Sequence, residues 1–167
     1  MGNIMDYIEW RGDLPFTQSE FNDVDNLILA CFSYVNLDGI QEAASQNGIE
    51  LKALTEKFLQ LHTEKELKED KSFIRFAPFM MLEMAKTERF GQCVIRNYVN
   101  EIVAEEAQQF SAVEICLSDG TSYISFRGTD DTIVGWKEDF NLSTGVVPAQ
   151  ERAVEYLRRI AGSLQEM

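Results

Sequence analysis

Thr129, Asp130, Asp131 and Asp139 are the residues whose types and spacing offer chemistry, and they follow Gly128 at the end of an aromatic and β-branched run, Tyr123 to Phe126. A backbone N–H after a tight glycine turn and a threonine hydroxyl can both donate to an oxygen that gains negative charge. A hydroxyl rotates unless something accepts its proton, and a carboxylate only accepts, so an Asp nearby can fix where Thr129 points. The ten-residue separation of Thr129 and Asp139 leaves room for a turn and a short helix from about Thr132. That helix would carry Asp139 back over the loop and pack Trp136 against the strand end. The same residue types also make an ordinary turn, in which Asp130 or Asp131 caps the helix and Asp139 pairs with Arg127 or Lys137. Residue types alone leave both readings open.

Ser125-Phe126-Arg127-Gly128-Thr129, followed by Trp136-Lys137-Glu138-Asp139-Phe140, resembles the oxyanion-loop segment of the class 3 lipases, a branch of the α/β-hydrolases. With Asp130-Asp131 and Gly135 added, it is similar to a bacterial lipase-like family of unknown function. The resemblance implies an α/β fold: the N-terminal portion of an α/β-hydrolase, with a mostly helical first half, then a β-hairpin, the oxyanion loop and a helix, the sheet incomplete. It implies Thr129 as the hydroxyl of the oxyanion hole, Asp139 as the carboxylate that orients it, and an ester or acyl-lipid substrate. Such a hydrolase also needs a serine on a Gly-x-Ser-x-Gly turn, then an Asp and a His. The sequence contains no such turn, and Ala161-Gly162-Ser163-Leu164-Gln165 lacks both flanking glycines in register. Ser163 therefore reads as a structural helix residue. The expectation is one domain over 1–167 that stops before the nucleophile strand and is inactive alone, and whose uncovered sheet edge invites self-association.

A net charge of -13 and a pI near 4.4 disfavour nucleic acid and anionic membrane surfaces, whose phosphates are bound by Lys and Arg. The same acidity suits an alternative reading, a non-catalytic helical module that binds a protein partner. Cys31, Cys93 and Cys116 are widely spaced in apolar contexts, as free thiols in a reducing cytoplasm would be. No signal peptide and no apolar run of about 18 residues is present. One histidine and three scattered cysteines give no metal-ligand spacing. The Asp130-Asp131 pair lacks a calcium-loop pattern, and no glycine-rich phosphate cradle occurs, so no cofactor is expected.

The elements that must position this loop follow from periodicity. Asn3 caps a helix to Trp10 with Ile4, Tyr7 and Ile8 on one face, and a second helix spans about Glu20 to Val35. Its stripe of Phe21, Val24, Leu27, Ile28, Cys31 and Phe32 faces a core. Asp38-Gly39 and Asn47-Gly48 bracket one short helix, Leu51 to about His62 is another, and Glu64 to Lys71 is a solvated charged run. His62 sits at an exposed helix end. Pro78 opens a helix with Phe79, Met80, Leu82 and Met84 inward, ending near Gly91. In 92–110, Val94, Ile95, Tyr98 and Val99 suit a strand, while Ile102, Val103, Ala107 and Phe110 suggest a helix. Val113 to Leu117, Asp119-Gly120 and Tyr123 to Phe126 form a hairpin whose second strand is buried on both faces. Pro148 opens a last helix with Ala153, Val154, Leu157 and Ile160 inward.

Overall fold

The computed structural model describes residues 2–69, 75–103, 108–128 and 148–165. Side-chain caps set the first helices. Asn3 accepts from the backbone N–H groups of Met5 and Asp6 while Asp6 reaches back to Asn3, closing a capping box on α1 (Ile4–Arg11). Asn22 and Asp25 repeat the arrangement on α2 (Asp23–Phe32). Each box satisfies N–H groups that the first turn leaves without intrahelical partners. Four more helices follow in the first half: α3 (Gln41–Ala44), α4 (Leu51–Leu61), α5 (Glu64–Glu69) and α6 (Ala77–Met84). A short α7 (Glu88–Gly91) is capped by Thr87.

The chain then forms an antiparallel meander in the order β1-β2-β3-β4. A two-residue β1 (Ile49–Glu50) pairs with β2 (Val94–Val103), which pairs with β3 (Gln108–Cys116), which pairs with β4 (Ser122–Phe126). Gly48 leads into β1 with φ +71, and a Cβ there would stand 2.7 Å from Ile95 O and from Arg96 Cβ. Only glycine admits that approach of two backbones. The β3–β4 turn is closed by Leu117 N–H to Thr121 O and Gly120 N–H to Leu117 O.

Helices cover both sheet faces, a mixed α/β arrangement. On one face Ile95, Tyr98, Val113 and Ile115 join the main core with Ile8, Ile28, Leu54, Phe58 and Met80. On the other, Phe110 and Ala112 pack against Tyr156 and Ile160 of α8 (Pro148–Gln165). Tyr156 meets Phe110 and Phe126 edge-on at centroid distances of 6.1 and 5.9 Å.

Several expectations are corrected. The helix expected from Pro78 to Gly91 is two, α6 and α7, because Ala85 ends the first and Thr87 begins the second. At Ile102, Val103 and Phe110 the suggested helix is replaced by the end of β2 and the start of β3, while Ala107 lies outside the described residues. In α2, Leu29 is buried while Leu27 is 49% exposed; in α8, Tyr156 is buried while Val154 and Leu157 face solvent. Those inner stripes are rotated because each helix docks through residues not counted as its apolar face. In β4 only Ser125 is buried, since the strand is bonded on one edge and helices do not seal both faces.

Candidate functional site

The sequence-predicted residues Thr129 and Asp139, with Trp136 and the Asp130-Asp131 pair, lie outside the described residues, and the site is described here up to Gly128. The root of the loop is anchored in two ways. Arg127 N–H donates to Ser111 O at 2.9 Å, and the Ser111 hydroxyl donates to Val99 O at 3.0 Å. The Arg127 side chain donates from Nη2 to Asn100 Oδ1 at 2.8 Å. Asn100 in turn donates from Nδ2 to Asp38 Oδ2 at 2.8 Å. The Tyr98 hydroxyl donates to Asp38 Oδ1 at 3.2 Å and accepts from Leu37 N–H at 3.3 Å. Burial first, then the Asp38 charge, pushes the Tyr98 phenol well above its ordinary value, so it stays a donor. The turn after α2 is thereby tied to the middle of β2 and the end of β4.

A β-bulge makes this possible. Arg96 pairs with Glu114 but Val99 pairs with Ala112, so Asn97 and Tyr98 together oppose one residue of β3. Asn97 has φ 54, a left-handed conformation that asparagine tolerates better than most residues. Its backbone N–H donates to Ser45 O, its Nδ2 to Glu114 Oε2 at 2.7 Å, and its carbonyl accepts the Tyr156 hydroxyl at 2.9 Å. Beyond the bulge Tyr98 and Asn100 both reach the side of Asp38, as bulges beside functional sites often re-aim a strand's side chains.

Glu114, fully buried beneath α8, accepts from Arg96 at 2.8 Å and Ser122 at 2.7 Å as well as from Asn97. Burial would raise its pKa, but the hydrogen bonds from Arg96, Ser122 and Asn97 outweigh it and hold the carboxyl below its ordinary value. A carboxylate so saturated is a structural anion and a poor base. The three free cysteines are poor nucleophiles for the opposite reason: burial raises Cys31 and Cys116 and pushes Cys93 up to about 12.

His62 caps the end of α4 with its ring 4.4 Å from Phe58, and Ser163 lies within α8. Among the described residues no group of His, Cys, Asp and Glu could hold a metal, and no helix is long and apolar enough to cross a membrane. A depression of about 530 Å³ between α1 and α6 is lined by Met5, Ile8, Glu9, Glu83 and Lys86, far from this chemistry in sequence and in element. Sequence reasoning missed Tyr34, Asp38, Tyr98 and Asn100. Asp38-Gly39 was legible only as a turn, and the polar residues of β2 that meet it lay in the stretch with competing periodicities.

A family model described as Mbeg1-like matches residues 84–167, just over half of the chain, taking in β2, β3, β4 and α8. No curated protein and no solved structure matches the chain.

Proposed function

The chain belongs to the Mbeg1-like family, and we propose that it supplies the oxyanion-loop segment of a lipase- or esterase-like serine hydrolase of the α/β-hydrolase type. The substrate class is an ester or acyl lipid. When a serine oxygen adds to the ester carbonyl, the carbonyl oxygen gains negative charge, and the Thr129 hydroxyl with a neighbouring backbone N–H donates to it. Asp139 accepts from Thr129 and fixes its rotamer. The nucleophile, its histidine and its acid are outside these residues, since the sequence holds no Gly-x-Ser-x-Gly turn.

One observation carries the reading: β4 delivers Ser125-Phe126-Arg127-Gly128 to the loop root, and that root is held by Ser111 and by the Arg127–Asn100–Asp38 chain of hydrogen bonds. Oxyanion donors act by being in place before charge develops, and an anchored root supplies that preorganisation.

The test is hydrolysis of short- and long-chain nitrophenyl esters by the whole polypeptide that the reading frame of this chain encodes, with fluorophosphonate labelling. Turnover blocked by the phosphonate is expected, with Thr129→Ala lowering kcat by roughly 10²-fold at little change in KM. Asp139→Asn has a smaller effect, because an amide oxygen still accepts. Residues 1–167 alone are expected to be inactive. Absence of both labelling and turnover in the whole polypeptide would leave the acidic protein-binding module as the better reading. Turnover by residues 1–167 that Ser163→Ala abolishes would mean the nucleophile is misassigned.

A further inference from the structure

The Tyr34 hydroxyl adjoins the backbone of Gly128: its oxygen lies 2.9 Å from where a Cβ would stand. Tyr34 follows α2 in a turn held by Tyr34 N–H to Cys31 O and Val35 N–H to Phe32 O. Its ring packs against the main core, while its hydroxyl makes no hydrogen bond among the described residues. The neighbouring Arg127 has a second spare donor, because its Nε is buried without a partner. Its Nη2 donates to a neutral amide, Asn100, and no carboxylate directly neutralises the guanidinium among the described residues. A phenol O–H beside it and the guanidinium of the residue before it thus belong to the surroundings of Gly128, which carries no side chain and is exposed.

We infer that Tyr34 and Arg127 form, around the bare backbone of Gly128, a subsite for the carboxylate or carbonyl oxygen of an acyl ligand. Both groups donate, and neither has a better acceptor within the described fold. The protein's charge of -13 repels anions at long range, so an anion that binds here is held by these local donors. The choice of an acyl ligand rests on the reading of the loop given above; the donor pair does not.

Octanoate is the probe, titrated into the 167-residue chain and followed by the amide resonance of Gly128, with octanol as the uncharged comparison. Octanoate is expected to shift Gly128, octanol to shift it far less, and Tyr34→Phe to weaken octanoate about 10-fold, the loss of one hydrogen bond to a charged acceptor. Tyr123→Phe, which removes a hydroxyl bonded to Asn26, should leave the affinity unchanged. No shift at Gly128, or equal affinity for wild type and Tyr34→Phe, overturns the inference. Octanoate binding that depends on Tyr34, without ester turnover by the whole polypeptide, would sink the hydrolase reading and leave this subsite standing. Turnover with octanoate binding indifferent to Tyr34 would do the reverse.

Discussion

Two arginines, Arg89 among the helices and Arg127 at the end of β4, sit in polar clusters of opposite kinds. Arg89 is fully buried and uses its donors to the end: two reach Asp25 and the others reach the carbonyls of Leu14, Ser19 and Glu20. Its guanidinium also lies 4.0 Å from the Phe16 ring centroid. Burial alone would lower its pKa, but the Asp25 carboxylate more than reverses that. Arg127 keeps a buried Nε unpaired among the described residues, and Gly128 after it adjoins the Tyr34 hydroxyl, which has no hydrogen-bond partner among those residues. A cluster that satisfies every member fixes a fold, whereas one that leaves donors unpaired has capacity for a further acceptor.

The largest effect that this contrast predicts is at Asp25. Asp25→Ala leaves Arg89 buried without its counterion and should lower stability by about 3–5 kcal/mol in urea denaturation. A loss under about 1 kcal/mol would mean that the carbonyls alone satisfy Arg89 and that the closed cluster is not built on the ion pair.

Glu114 comes next: its carboxylate is saturated, although the Nε of its partner Arg96 is buried and unpaired among the described residues. Its folded pKa is depressed, so the stability it contributes is fully present above the ordinary value of 4.5 and is lost as pH falls through the lower folded value. Glu114→Gln should cost about 1–3 kcal/mol near neutral pH and flatten the fall in stability on acidification. An acid limb identical to that of wild type would show that other carboxylates set it. Tyr156→Phe removes the hydroxyl that α8 gives to Asn97 O and should cost about 1 kcal/mol by the same measurement.

The smallest expected effect sharpens the comparison most. Tyr34→Phe should change stability by less than about 0.5 kcal/mol, since its hydroxyl has no partner to lose within the described fold. A cost as large as that of Tyr156→Phe would place the Tyr34 hydroxyl among the structural groups.

Legibility in the sequence followed the range of the interactions. The cap at Asn3, the start of α4 and the β3–β4 hairpin are local, and residue types a few positions apart specify them. The run 92–110 resisted because Asn97 adds one residue to β2, which sets Ile95 and Tyr98 three apart on one face and imitates helical spacing. The inner faces of α2 and α8 were misjudged because buried Asp25 and Tyr156 take positions that a purely apolar stripe does not count. Of the site, the strand leading to Gly128 was readable, but Asp38 and Asn100 meet across 62 residues and no local pattern joins them.

Asn97 can also be viewed as an insertion. Removing it would let Tyr98 take the place opposite Val113, and β2 would pair with β3 without interruption, every later side chain keeping its face. The main-core side of the sheet would lose the contact to Ser45 O. The other side would lose an amide on Glu114 and the carbonyl that receives Tyr156. Among single-residue deletions within β2, those at the bulge alone spare the register, at the expense of the two bonds that tie Asn97 to Glu114 and to α8.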